Sequence, residues 1–190
     1  IWEKRVILGS ISVDLFAVLL GGATALLPVF AKDIFETGPL GLGILRAMPS
    51  VGAFLCTLVI ARTGMGGHTG IKMFWCVAIF GVCMIGFGLS TSIYIAAFFL
   101  ALSGVVDMVS VIIRQTLVQL ETPDHMRGRV SAVNSIFIGA SNELGAFESG
   151  AVASLIGPVA AVVAGGFASV GVAAIWAWLF PELRKRDRLT

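Results

Sequence analysis

The chain has 190 residues, of which 57% are hydrophobic and only 13% are charged, and its mean hydropathy is +0.98. A soluble domain carries about 25% charged residues, so this composition argues against a soluble domain and indicates a membrane protein. The net charge of +2 is too small to indicate a nucleic-acid partner, and we expect none.

Six apolar stretches are long enough to cross a lipid bilayer as helices, which requires about 20 residues each. We therefore predict an all-α membrane protein, a single bundle of six transmembrane helices over residues 1–190. In chain order, the predicted spans are residues 6–31, 40–61, 71–90, 93–117, 130–152 and 157–180. The weakest boundary is "SLIGPV" (154–159), where Gly-Pro can end one helix and begin the next.

The basic residues predict the orientation of these spans. A single one, Lys32, falls on one side of the six-span map, and ten fall on the other side. Basic loops stay in the cytoplasm, so we expect a multi-pass membrane protein with both termini cytoplasmic. The ten are Lys4, Arg5, Arg62, Lys72, Arg127, Arg129, Arg184, Lys185, Arg186 and Arg188.

The first two spans carry one charge each. Asp14 lies in the predicted cytoplasmic half of span one, and Arg46 lies near the outer end of span two. Asp33 or Glu36 in the adjoining loop could neutralise Arg46. Pro49 marks a kink or a position of close helix contact in span two. Spans three and six have no internal charge, so we expect them to pack at the periphery.

Span four carries both Asp107 and Arg114 in the stretch "SGVVDMVSVIIRQ" (103–115). A charge at the bilayer centre costs about 2.5–3.5 kcal/mol, so such residues are usually functional or paired. The two residues lie about 10 Å apart along a helix that rises about 1.5 Å per residue. Arg114 can extend to the interface or reach a carboxylate on another helix. Asp107 is too short for that, so it must face a cavity, pair with a cation or carry a proton.

Span five follows the most polar loop, "ETPDHMRGR" (121–129). Arg127 and Arg129 in that loop could cap helix ends, bind lipid phosphate or simply anchor the cytoplasmic side. Asn142 belongs to a polar stripe along one face of span five, and Glu143 is its neighbour. The candidates for a substrate or proton pathway are therefore Asp107, Glu143, Asn142, Asp14 and Arg114.

Enzyme chemistry has no support in the sequence. His68 and His125 fall in predicted loops and lack partners at metal-ligand spacing. No Ser-His or Cys-His pair lies at membrane depth, and the loop "GMGGHTG" (64–70) lacks the Gly-Lys-Ser/Thr ending of a phosphate loop. We expect no enzyme activity, no metal and no cofactor.

Three stretches resemble a known family: "SVDLFAVLLGGATALLPVFAKDIF" (12–35), "GPLGLGILRAMPSVGAFL" (38–55) and "TPDHMRGRVSAVNSIFIGASNELGAFESG" (122–150). They are similar to the carboxy-terminal half of a major facilitator superfamily transporter, in the enterobactin-exporter-like and macrolide-efflux-like branch. The resemblance implies half of a twelve-helix transporter, with a three-plus-three inverted repeat. One departure is the stretch "ARTGMGGHTGIK" (61–72), which keeps Arg62 but lacks the Asp and the Arg cluster of the superfamily's gating motif.

The resemblance implies a secondary transporter that exports small organic molecules, such as drugs or siderophores, by proton antiport. Its partners would be the substrate, the lipid bilayer and a missing amino-terminal half of six helices. Asp107 is the first candidate for carrying the proton, followed by Glu143 and Asp14. The alternative is a membrane protein that acts only as a packing or interaction partner and does not transport.

Overall fold

The computed structural model describes Ser12 and residues 23–64 and 69–179. Its first helical segment (residues 23–34) runs without a break through a 3₁₀ turn (Ala23–Leu26), the short helix α1 (Leu27–Val29) and a π-helical turn (Phe30–Ile34). A second 3₁₀ turn (Asp124–Met126) lies between α4 and α5. The long helices are α2 (Gly38–Thr63), α3 (Thr69–Gly88), α4 (Ile93–Glu121), α5 (Arg127–Ile156) and α6 (Pro158–Leu179). No strand occurs within the described ranges.

Glycine and proline determine where the long helices begin and end. α2 begins at Gly38, and a proline follows in its first turn, where a missing backbone N–H is tolerated. α2 stops before Gly64, which has φ +72, and α5 stops before Gly157, which has φ +86. Residues with side chains rarely adopt such angles, so these glycines allow the chain to leave the helix. Pro158 then starts α6.

Four of the described helices are long and apolar enough to cross a membrane: Gly38–Thr63, Gly70–Gly88, Ile93–Leu120 and Pro158–Leu179. They lie on the stretches predicted as spans two, three, four and six. α5 covers predicted span five, but its asparagines, serines and glutamates make it less apolar than these four. The crossings of α5 and of the first span remain predictions.

The long helices differ in how far their neighbours bury them. α3 packs most extensively against α6 and also against α4, while α2 packs mainly against α4. α5 contacts α6 and the 3₁₀ turn of the first helical segment. Of the four apolar helices, α3 is the most buried and α2 the least. α3 therefore has a helix on two sides, α4 and α6. The peripheral position of spans three and six in a complete transporter stays a prediction.

Two apolar clusters form the core. The cluster at the predicted outer end centres on Phe30 and Phe87, whose ring centroids are 4.6 Å apart. The cluster at the predicted cytoplasmic end joins Met73 of α3, Ile113 of α4 and side chains of α6. Trp176 of α6 packs against that second cluster, and its Nε1 donates a hydrogen bond to Ser12 Oγ at 2.8 Å.

Glycines allow two pairs of helices to approach until their backbones touch. In α3 and α6, a Cβ on Gly81 would lie 2.6 Å from the carbonyl oxygen of Gly166. A Cβ on Gly166 would lie 2.7 Å from the carbonyl oxygen of Gly81, so the contact is reciprocal. In α2 and α4, Gly104 lies directly against the carbonyl oxygen of Pro49. Small residues are the usual means of such close packing within membranes.

Candidate functional site

A recess of about 210 Å³ lies among the helices, and it contains Asp107. It is lined by the first helical segment and by all of the long helices except α6. The lining residues are Ala23 and Thr24, Pro49 of α2, Phe80 and Met84 of α3, Leu100, Ser103, Gly104 and Asp107 of α4, and Asn142 of α5.

The recess has a polar mouth and an apolar floor. Thr24, Asp107 and Asn142 are exposed, so they form the mouth. Met84 and Leu100 are each only 3% exposed and lie in the floor. This arrangement can hold an apolar group inside while polar groups contact it from the rim.

Local structure explains the shape of the walls. Gly104 has no side chain, so the α4 backbone can lie against Pro49 of α2 at the wall of the recess. Proline at position 49 supplies no N–H to its helix, which weakens the regular hydrogen bonding there. The Ser103 hydroxyl donates to the carbonyl of Leu100 at 2.7 Å, so its donor is used within α4.

The structure brings together two of the five residues predicted for the pathway. Asp107 and Asn142 both line the recess, from α4 and α5. Glu143 follows Asn142 on α5 and is exposed, but it does not line the recess. Asp14 lies outside the described residues.

Arg114 does not extend to the membrane interface. Its side chain is buried, with 4% exposure, and its neighbours in α4, Ile113 and Leu117, belong to the core cluster at the predicted cytoplasmic end. Of the two alternatives predicted for Arg114, extension to the interface does not fit this burial. The other alternative, a carboxylate on another helix, stays a prediction. A buried guanidinium requires compensation within the protein, so Arg114 is part of the packed interior.

Asp107 faces the recess, as one of the alternatives predicted for it requires, and it is exposed at the mouth. Its role there stays a prediction. Arg46 departs from expectation, since it is exposed and forms no ion pair with Asp33 or Glu36 in the described part of the chain.

The polar loop between α4 and α5 has a defined structure. Arg127 Nε donates to the carbonyl of Gln119 at 3.2 Å, and one of its terminal nitrogens lies 2.9 Å from Asp124 Oδ1. Arg127 thus caps the end of α4, one of the roles predicted for it. Arg129 and Arg62 are exposed.

Several lining residues were not predicted from the sequence. Phe80 and Met84 lie in a helix without charges, where an apolar side chain gives no sign that it faces a recess. Thr24 lies two residues after the pair Gly21-Gly22, and a single hydroxyl at such a position does not indicate that it lines a recess. A metal site receives no support from the described ranges, where no cluster of His, Cys, Asp and Glu could hold an ion.

Helices long and apolar enough to cross a membrane, packed around a recess with a polar mouth, are typical of an integral membrane protein. The sequence model of the family described as transmembrane secretion effector, within the major facilitator superfamily, matches residues 4–189. The chain therefore belongs to this family, whose members are generally not enzymes.

Individual relatives are distant but consistent with this family. The chain is 25% identical over 173 residues to the enterobactin exporter EntS of Shigella flexneri. It is 26% identical over 174 residues to the enterobactin exporter EntS of Escherichia coli O81 (strain ED1a). Each match covers 88% of this chain but 42% of the relative. The chain thus spans less than half the length of the curated relatives it matches.

Proposed function

We propose that this chain is the carboxy-terminal half of a secondary transporter that exports small organic molecules in exchange for protons. The observation that carries the proposal is the carboxylate of Asp107 at the mouth of a recess in a transmembrane secretion effector. Relatives named as exporters support the direction of transport. The proposed setting is the inner cell membrane, with both termini in the cytoplasm.

Asp107 is the proposed site of proton exchange. A carboxyl group can bind a proton and release it again, and withdrawal of water favours its neutral form. In the proposed cycle, Asp107 is protonated when the recess is closed and loses its proton when the mouth opens. Asn142 is on the same recess and supplies a polar group that does not titrate.

The proposed partner is an amino-terminal unit of six helices, which would cover α2 and α5. Large apolar side chains on these two helices are exposed, among them Phe54 and Leu58 of α2 and Phe147 of α5. α5 also exposes Asn142 and Glu143, which hydrocarbon would not accommodate well. The greater length of the relatives leaves room for such a unit.

The six-span topology and the inverted repeat belong to the same proposal. Gly81 lies in the third predicted span and Gly166 in the sixth, which are equivalent helices in a three-plus-three repeat. Their reciprocal backbone contact supports an internal two-fold relationship.

The test of the transport proposal is uphill export by the complete transporter, including its amino-terminal half, in membrane vesicles with an imposed proton gradient. Asp107→Asn keeps the size and hydrogen bonding of the side chain but cannot titrate, so we expect proton-driven export to be lost while downhill exchange continues. Asp33→Asn is the matched control, because Asp33 is exposed at the end of the first helical segment and does not line the recess. Unchanged uphill export by Asp107→Asn would remove Asp107 from this role. Absence of any flux in the wild type would instead favour a non-transporting packing protein.

A further inference from the structure

We propose that the recess is a subsite for one ring of the exported molecule, a ring that carries a hydrogen-bond donor such as a hydroxyl or a protonated amine. This inference rests on the transport function proposed above. It specifies which part of the substrate this half of the protein binds, and which side chains select it.

The floor of the recess selects an apolar group. Met84 and Leu100 present hydrocarbon and thioether surface and are almost fully buried. Phe80 adds an aromatic side chain from the same helix as Met84. The nearest hydroxyl, that of Ser103, already donates to the carbonyl of Leu100. Transfer of an apolar ring from water to such a surface is favourable, whereas a polar group placed there would lose its hydrogen bonds to water.

The mouth of the recess selects a donor. Asp107 offers carboxylate oxygens, which accept hydrogen bonds, and Asn142 and Thr24 add an amide and a hydroxyl. No lysine, arginine or histidine occurs among the described residues that line the recess. The carboxylate of Asp107 would repel an anionic substituent, while a hydroxyl or an ammonium group could donate a hydrogen bond to it.

The volume of the recess limits it to part of a substrate. Pockets that enclose a whole drug-sized ligand usually measure about 300–1,000 Å³, and this recess measures about 210 Å³. One ring with short substituents fits that space. The remainder of a larger molecule would lie outside the mouth, on the side of Asp107 and Asn142.

Met84 is the side chain that sets the size of the ring. Gly104 and Pro49 line the same recess, where the backbones of α4 and α2 are in contact. Methionine is unbranched and flexible, so it can adapt to ligands of different shape. Shortening Met84 should enlarge the floor without disturbing the polar mouth.

The test measures occupancy of the recess without requiring transport. Thr24→Cys places a single thiol at the mouth in a protein whose three native cysteines are replaced by alanine. The rate of alkylation by a maleimide is measured in membranes from cells that express the protein. Benzyl alcohol and benzylamine should slow alkylation, and benzoate should not. If benzyl alcohol and benzylamine slow alkylation to different extents, the stronger of the two shows whether the recess prefers a hydroxyl or an ammonium group as donor.

The size prediction uses naphthyl analogues of the same probes. In Met84→Ala, the naphthyl probes should protect the thiol at position 24 from alkylation at about tenfold lower concentration than in the wild type. A tenfold change is the effect expected for a small change in an apolar pocket. Met73→Ala is the matched control, since Met73 is equally buried in α3 but belongs to the other core cluster. Met84→Leu keeps the side-chain volume, so the probes should protect the thiol in this variant as they do in the wild type. This result would show that the effect of Met84→Ala comes from the size of the recess and not from misfolding.

Two results would overturn the inference: protection by benzoate equal to that by benzylamine, or the same response from Met84→Ala and Met73→Ala. Failure of the transport proposal gives a different pattern. If uphill export fails while benzylamine still protects the thiol at position 24, the subsite stands and the transport function does not. If export works without protection, the subsite is wrong.

Discussion

Asp107 of α4 and Asn142 of α5 line the same recess, although α4 and α5 share few direct contacts along their lengths. The two residues are brought together by the recess that they both line, and not by direct packing of their helices. A carboxylate and a carboxamide that share a solvent-accessible mouth can both reach a molecule placed between them. This relationship is the basis for treating the recess, rather than either residue alone, as the functional unit.

The orientation in the membrane can be tested by cysteine labelling in intact cells. Asp124 and Thr37 are both exposed, and they lie at opposite ends of the bundle. In a background without native cysteines, Asp124→Cys should react only after the cytoplasm is made accessible, and Thr37→Cys should react from outside. Reaction of position 124 with an impermeant maleimide in intact cells would contradict the six-span map.

Gly104→Ala should destabilise the bundle by about 1–3 kcal/mol, the usual cost of overpacking. The added methyl group would collide with the carbonyl oxygen of Pro49, a backbone atom that cannot move aside as a side chain could. Thermal unfolding in detergent measures the effect. Gly171→Ala is the control, because nothing lies within 4 Å of a Cβ at that position of α6. A loss of stability at Gly171 as large as at Gly104 would argue against the backbone contact.

Ser110→Ala should stabilise the protein or leave its stability unchanged. The Ser110 hydroxyl is buried and has no hydrogen-bond partner in the described part of the chain. Removal of an unsatisfied buried hydroxyl can gain about 1 kcal/mol or more. Ser103→Ala is the comparison, since the Ser103 hydroxyl is buried but bonded to the Leu100 carbonyl. Destabilisation by Ser110→Ala alone, measured by thermal unfolding, would show that this hydroxyl has a partner.

Arg127→Ala should loosen the end of α4. The substitution removes the hydrogen bond to the Gln119 carbonyl and the contact with Asp124. Both groups are exposed, so the global stability should fall by less than about 1 kcal/mol. Hydrogen exchange of amides at the end of α4 should nevertheless become faster. Arg129→Ala lacks these contacts and should leave that exchange unchanged; an equal effect of both substitutions would indicate a general loss of positive charge.

The sequence predicted helices well because their signal is simple. An uninterrupted apolar stretch of membrane length has few alternatives, and the glycine and proline at 157–158 do lie where α5 ends and α6 begins. The recess was harder to predict. Asp107 and Asn142 were noticeable because polar residues are costly in a membrane, but Phe80 and Met84 resemble every other core residue. The burial of Arg114 depends on which helices surround α4, and no local pattern encodes that.

The reciprocal contact between Gly81 and Gly166 has a mechanical consequence. Each glycine lies against the carbonyl oxygen of the other, so sliding or rotation of one helix breaks both halves of the contact at once. We therefore expect α3 and α6 to move together as one unit. The recess takes none of its lining from α6 and only Phe80 and Met84 from α3. We expect a movement that opens its mouth to involve mainly the elements that supply the rest of the lining: α2, α4, α5 and the first helical segment.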